Sequence, residues 1–149
     1  MTNAATISGL SSAPAFAAYA SANQSLSANV LTKVNIDTKV FDTASCFNTT
    51  TSAYTPNVLG YYMFSGMYNS SAAYTGAIYA YFNNIASGQN YQAGRAYFSS
   101  DYPAMNVSIL LYMNGTTDSV TFNVGTTGNS TSQGGLMFSR FSAVLVRGA

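Results

Sequence analysis

The segment that most constrains this chain is Gly60–Tyr68, because a strand drawn through it is apolar on both faces. Successive side chains of a strand point to opposite sides of the sheet. One side then carries Tyr62, Phe64 and Tyr68, and the other carries Tyr61, Met63 and Met67. A strand at the surface of an isolated sandwich alternates apolar and polar residues. Each face of this strand needs an apolar surface to pack against. One surface is the core of the domain, and we expect the other to belong to a neighbouring subunit.

Two later segments, Ala77–Phe82 and Val107–Met113, repeat the same two-sided apolar pattern. Together with Gly60–Tyr68 they supply the residues that we expect at a subunit interface. The alternative is that one face of each strand packs on loops of the same chain. The candidate interface residues are Tyr61, Met63, Met67, Tyr79, Tyr81, Leu111 and Met113.

The charge content excludes several partners. The 149 residues hold 5 Lys and Arg against 4 Asp and Glu, with no His, and 48% of them are hydrophobic. A length of this order suits one domain with a sizeable core. A surface without a strong electric field is a poor binder of nucleic acid or anionic membranes. Low charge combined with many β-forming residues favours aggregation. An assembly such as a virion avoids this risk, because its subunits pack once and remain packed, and we expect an assembly of this kind.

The side chains of common catalytic sites are scarce. Without His there is no Ser-His-Asp or Cys-His arrangement. Asp37 and Asp42 flank a predicted strand end, where turn roles are common. Asp101 and Asp118 lie in or near predicted loops but offer one carboxylate each, too few for a calcium site. The lone Cys46 is interpreted as a small buried hydrophobe. We therefore predict no enzymatic activity, no cofactor and no metal.

Short apolar runs separated by turn residues predict strands along the whole chain, with no sustained helical period. Asn114-Gly115 is a strong turn signal, and Gly125–Gly135 is predicted to be a long loop. Such spacing indicates an antiparallel sandwich or barrel. The segments predicted as further strands are Ala15–Ala20, Val30–Asp37, Gln92–Ser99, Ser119–Val124 and Phe138–Arg147.

Residues 1–14 are predicted to form an extended N-terminal arm, and residues 15–149 the domain. The arm is rich in small and polar residues and ends at a proline. Its first ten residues lack basic side chains and a continuous apolar run, so no signal peptide is expected. No segment reaches the length of a membrane helix. The arm residues that we expect to bind a capsid are Ile7, Leu10 and Pro14.

Several blocks in fixed order resemble the globular head of complement C1q and its TNF-like relatives. These blocks are Ala-Phe-x-Ala at 15–18, Phe41-Asp42, Tyr54-x-Pro56 leading to Gly60-Tyr-Tyr62, and Arg140 to Val146. Ala143 and Val144 stand where the family usually has Gly and Phe. The resemblance covers residues 15–147. It implies an all-β, antiparallel, ten-stranded jelly-roll sandwich that forms a tight homotrimer around an aromatic and aliphatic axis.

Two functions remain open. The preferred one is a non-enzymatic structural virion protein, a trimeric decoration or cement protein on the capsid surface of a bacteriophage, whose partner is the major capsid protein or another virion protein. The alternative is a receptor- or glycan-binding head of a phage fibre or of a secreted C1q-like protein. A cluster of aromatic residues around Arg95 and Asp101 could stack on a surface glycan or could cover the end of the barrel. Its members are Tyr91, Tyr97, Phe98 and Tyr102.

Overall fold

The computed structural model describes residues 13–149, and these residues form thirteen β-strands. The count exceeds the ten that the family resemblance implies, because five of the strands are segments of only two or three residues. The strands are β1 Ala15–Tyr19, β2 Gln24–Leu26, β3 Thr32–Lys33, β4 Thr38–Asp42, β5 Phe47–Asn48, β6 Ala53–Tyr54, β7 Gly60–Asn69, β8 Tyr74–Asn84, β9 Gln89–Asp101, β10 Ala104–Met113, β11 Val120–Thr126, β12 Ser130–Ser132 and β13 Arg140–Gly148.

The strands build two sheets in which sequence neighbours are often not spatial neighbours. The first sheet has the order β10-β7-β13-β1-β4, and the second has the order β5-β6-β11-β8-β9, with β3 also paired to β11. A short ribbon joins β12 to β2. The paired strands are antiparallel throughout the described residues. This is the predicted all-β antiparallel sandwich.

The core lies between the two sheets and is built mainly from aromatic rings. Tyr62 and Phe64 of β7 are fully buried. Phe16 of β1 stacks on Phe47 at 4.6 Å and on Tyr54 at 4.5 Å between ring centroids. Stacked and edge-on rings at these distances are favourable beyond the area that they bury. The alternation predicted for Gly60–Tyr68 therefore places one of its two apolar faces in the core.

The predicted strand Val30–Asp37 is mostly irregular, with only Thr32–Lys33 in a strand. Some of its backbone groups bond to side chains, whereas the N–H of Val34 donates to the carbonyl of Phe122 in β11 at 2.9 Å. Gln24 donates from Nε2 to the carbonyl of Lys33 and accepts from the N–H of Asn35, at 2.9 and 2.8 Å. Local side-chain partners of this kind compete with a strand ladder. Val34 and Ile36 are nevertheless fully buried, as their apolar character predicts.

The turn at Asn114-Gly115 is confirmed, although it joins strands of different sheets. Gly115 has φ +72°, a conformation that favours glycine. The Asn114 side-chain oxygen accepts three backbone N–H groups, from Thr116, Thr117 and Asp118, each at 3.0 Å. The chain thus crosses from β10 in the first sheet to β11 in the second. The predicted loop Gly125–Gly135 contains the end of β11 and all of β12, because β12 finds β2 as a distant partner.

Candidate subunit interface

The outer face of the first sheet carries large apolar side chains that the protomer leaves partly exposed. On β7, Tyr61 is 42% exposed and Met63 is 37% exposed, although the side chains between and beside them are buried. The register then sets their neighbours. Met63 lies opposite Leu110 of β10 on one side and Val144 of β13 on the other.

Tyr112 of β10 completes this group, since it lies opposite Tyr61 with the two rings edge-on and their centroids 5.6 Å apart. The five side chains are each between 37% and 51% exposed and are contiguous across three strands. We call them the apolar patch: Tyr61, Met63, Leu110, Tyr112 and Val144. Contiguous exposed apolar side chains mark interaction surfaces, whereas single ones do not.

A polar groove continues the same face beside the apolar patch. Ser65 of β7 lies opposite Ser108 of β10 and Ser142 of β13, so three short side chains form a row across the sheet. They line a groove of about 450 Å³ together with Met67 and Arg140. The face therefore pairs an apolar end with a hollow, polar end.

The seven side chains predicted for the interface fall in three places. Three of them, Tyr61, Met63 and Met67, lie on the outer face of the first sheet. Tyr79 and Tyr81 lie on the outer face of the second sheet, where they line another groove. Leu111 is half-buried against the core and Met113 is fully buried, so Met113 is not available to a partner subunit.

Sequence reasoning missed Leu110, Tyr112 and Val144. Residues 107–113 are apolar at almost every position, so the sequence does not reveal which alternate set faces the core. The structure places Met105, Val107, Ile109, Leu111 and Met113 toward the core. Pairing with β7 is the only signal that identifies Leu110 and Tyr112 as outward.

Of the predicted arm residues, Pro14 is the one that the structure describes. It is buried, and its carbonyl accepts a hydrogen bond from the N–H of Leu145 at 3.0 Å. Pro14 is thus fixed to β13 and forms part of the domain. Ile7 and Leu10 lie outside the described residues.

The outer face of the second sheet holds some of the other aromatic residues singled out from sequence, but not all of them. Phe98 packs against the core, whereas Tyr97 and Tyr102 are 73% and 67% exposed. The guanidinium of Arg95 lies over the ring of Tyr79, 5.0 Å from its centroid. This side of the molecule is opposite the apolar patch and remains uncovered in the protomer.

The carboxylates and the thiol of this chain have structural partners. Burial alone would raise the pKa of Asp37, but hydrogen bonds from Ser21 and Thr38 outweigh it and lower that pKa. Asp118 accepts from Asn84 and from the N–H of Asn114. Burial raises the pKa of the Cys46 thiol. Within residues 13–149 no group of three or more Cys and Asp side chains is arranged to hold a metal ion.

No helix with the length and hydropathy required to cross a membrane is present in residues 13–149.

The strand order and the sandwich define a C1q/TNF-like jelly roll, which confirms the resemblance predicted from sequence. Eiger, a TNF from S. frugiperda, superposes with a TM-score of 0.65 at 13% identity, covering 92% of this chain and 93% of that chain. The globular domain of the zebrafish complement 1qA protein gives a TM-score of 0.63 at 16% identity, covering 92% and 99%. The vertex protein P5 of phage PRD1 gives 0.65 at 15% identity, covering 91% and 96%.

No protein-family model matches this sequence, and no curated protein matches it.

Proposed function

We propose that this chain is a non-enzymatic structural protein of a phage virion, a homotrimer that decorates and stabilises the capsid. The observation that carries the proposal is the apolar patch: five large side chains brought together by strand register and left half exposed by the protomer. A jelly roll of the C1q and TNF kind is consistent with a trimer built on such a face.

The size of the apolar patch favours an obligate assembly. Fully burying one large apolar side chain is worth about 1.5–3 kcal/mol. Covering the exposed part of five such side chains in each of three subunits contributes free energy that opposes the loss of rotational and translational freedom on association. The serine groove beside the apolar patch offers space for side chains of a neighbouring subunit.

The virion setting is supported by the fold of the phage PRD1 vertex protein and by the low charge of the chain. A surface rich in Ser, Thr and Asn and poor in ions suits a protein that assembles once. The proposed partner is the major capsid protein or another virion protein, bound through the lower face of the trimer, by which we mean the face turned toward the capsid. The N-terminal arm is proposed to bind the same partner, with Ile7 and Leu10 supplying the apolar contacts.

The decisive experiment is analytical ultracentrifugation of the purified chain and of Met63→Asp. We expect the unaltered protein to sediment as a trimer at micromolar concentration. Met63→Asp places an unpaired carboxylate in the apolar patch and should yield monomer or aggregate. A matched control is Tyr97→Asp, an equally drastic change on the opposite sheet, which should leave the trimer intact. A well-folded monomer of the unaltered chain at micromolar concentration would contradict the proposal.

A receptor- or glycan-binding head is the second candidate function, and the exposed aromatic side chains of Tyr97 and Tyr102 favour it. The two functions differ in copy number and position. Electron microscopy of purified virions distinguishes them, since a decoration protein occupies many lattice positions on the capsid and a fibre head occupies a few tips.

A further inference from the structure

One cation of the first sheet is partly withdrawn from solvent without a counter-charge. The side chain of Arg140 in β13 is half-buried and lines the serine groove beside Ser65, Ser108 and Ser142. Among residues 13–149, no carboxylate forms an ion pair with its guanidinium. A charge that is partly buried without a partner is unfavourable. An anionic group that reaches the serine groove would therefore be bound there.

The other four basic side chains of this chain do not share that position. Each of them has a counter-charge, a hydrogen-bond acceptor, an aromatic ring or free access to water. They are Lys39 in its ion pair with Asp42, Lys33 on the carbonyl of Thr51, Arg95 over the ring of Tyr79, and Arg147 at the exposed end of β13.

The acidic side chains show the complementary pattern. Three of the four carboxylates accept hydrogen bonds from side chains of their own protomer, namely Asp37, Asp42 and Asp118. Asp101 is exposed, and the bond that its carboxylate accepts among the described residues comes from the adjacent N–H of Tyr102 at 2.7 Å. Residues 1–12 contain no acidic side chain. Asp101 is therefore the carboxylate that remains available to a cation of another molecule.

Asp101 and Arg140 lie at the same end of the sandwich. The N–H of Ser70, just after β7, donates to the carbonyl of Pro103 at 2.8 Å, so the corner formed by residues 101–103 lies at the end of β7. Arg140 lies opposite Met67, three residues earlier, which is about 10 Å along the strand. Within one protomer, β7 and β10 separate Arg140 from this corner.

The symmetry of a trimer requires two different surfaces at each contact. In a closed ring of three subunits, a surface of one subunit meets a different surface of the next, unlike the contact in a twofold dimer. Rotation about an axis along the strands of the first sheet also keeps each residue at its own level. The corner that carries Asp101 is close to the level of the serine groove and has the complementary charge.

We propose that the Asp101 carboxylate of each subunit enters the serine groove of the next subunit and forms an ion pair with Arg140. The hydroxyl groups of Ser65, Ser108 and Ser142 line the same groove and can donate to the remaining carboxylate oxygen. This inference rests on the proposed trimer, and it names the residue that each subunit contributes to its neighbour.

The test is subunit exchange between unlabelled and nitrogen-15-labelled trimers, followed by native mass spectrometry. Asp101→Arg and Arg140→Asp each place two like charges in the contact, so each should speed up exchange about tenfold or more. The double variant, Asp101→Arg with Arg140→Asp, exchanges the two charges between the surfaces. It should return the exchange rate to within a few-fold of the unaltered protein.

A mismatched double variant controls for net charge. Asp101→Arg with Arg95→Asp keeps the same formal net charge of +1 as the unaltered chain, but Arg95 lies on the outer face of the second sheet, so this variant should still exchange rapidly. Arg140→Gln removes the charge without reversing it and should also speed up exchange. Circular dichroism of every variant should match the unaltered chain, because both charged groups lie outside the core.

The outcomes separate this contact from the trimer itself. If the unaltered chain sediments as a monomer, the trimer is wrong and the contact with it. If the unaltered chain is a trimer and Arg140→Asp or Asp101→Arg exchanges no faster, the ion pair alone is overturned. Failure of the double variant to restore slow exchange would overturn it equally.

Discussion

At the scale of single residues, the core contains hydroxyl groups whose partners differ. The hydroxyl of Tyr62 donates to the carbonyl of Val58 at 2.7 Å, and burial raises the pKa of Tyr62 to about 12. The hydroxyl of Tyr54 is buried without a hydrogen-bond partner among the described residues, and burial raises its pKa further. An unpartnered buried hydroxyl costs free energy, so the two tyrosines should respond in opposite ways to loss of their oxygen.

Replacement of each tyrosine by phenylalanine tests this difference. Tyr62→Phe should lower the free energy of unfolding by about 1 kcal/mol, because it removes a made hydrogen bond. Tyr54→Phe should leave it unchanged or raise it by up to about 1 kcal/mol. Urea unfolding at one fixed protein concentration measures both, since assembly makes stability depend on concentration. If Tyr54→Phe lowered the free energy of unfolding more than Tyr62→Phe does, the hydrogen-bond partners of the two hydroxyl groups would be assigned wrongly.

The carboxylate of Asp42 binds one charged side chain and two backbone N–H groups. It accepts from Lys39 Nζ at 2.9 Å and from the N–H groups of Cys46 and Phe47, each at 3.0 Å, and its side chain is 3% exposed. Burial alone would raise its pKa, but these hydrogen bonds and the charge of Lys39 lower it below the ordinary 3.8. A carboxyl group with a lowered pKa stabilises the folded state above its unfolded pKa and loses that contribution as pH falls through its folded pKa.

Asp42→Asn should therefore lower the free energy of unfolding by about 1–3 kcal/mol at pH 7. The difference from the unaltered chain should shrink as the pH falls from about 4, the ordinary pKa of the unfolded carboxyl group, through the lower pKa of the native one. Unfolding curves at pH 7 and at successive lower values measure it. Gln89→Glu is the control, because it exchanges an amide and a carboxylate on an exposed side chain and should change stability little. An effect of Asp42→Asn that grows toward acid would contradict the assignment.

At the scale of elements, β7 is the strand on which both the core and the proposed interface depend. It lies between β10 and β13 in the first sheet and presents its core face to the second sheet. At Gly66 the two sheets come so close that an added Cβ would lie 2.3 Å from the ring of Phe122. Glycine at this position is a packing requirement, since the opposite ring occupies the space of a side chain.

Gly66→Ala should lower the free energy of unfolding by about 1–3 kcal/mol, as expected for overpacking of a filled core. Thermal or urea unfolding measures the change. Gly148→Ala adds the same methyl group where no atom lies within 4 Å, and it should leave stability almost unchanged. If Gly66→Ala is as stable as Gly148→Ala, the sheets are not packed as closely as described.

At the scale of the whole molecule, the two outer faces differ in character. The first sheet presents the apolar patch and the serine groove, and the second presents exposed aromatic rings. Assembly and recognition can therefore operate on opposite sides of one protomer. The N-terminal arm is a third proposed contact, joined to the domain where Pro14 binds β13.

Deletion of residues 1–12 tests the arm separately from the trimer. The deletion ends before Pro14, so the contact with β13 is kept. We expect the shortened protein to remain trimeric and to bind purified capsids more weakly, because the contacts of Ile7 and Leu10 are lost. Ultracentrifugation gives the first result and co-sedimentation with capsids gives the second. Equal binding by the shortened and full chains would show that the arm does not clamp the capsid.

The sequence determined the fold class and the two-sided nature of β7, because the period of two in residues 60–68 depends only on local backbone geometry. It also determined which catalytic side chains are scarce, because amino-acid composition does not depend on folding. The tertiary structure decided which residues meet. Leu110, Tyr112 and Val144 join Met63 and Tyr61 through strand register, and Tyr79 and Tyr81 come to lie on the opposite face. Strand register depends on pairing between segments that are distant in the sequence. A run of apolar residues such as 107–113 therefore fits either face equally well until its partner strand fixes one.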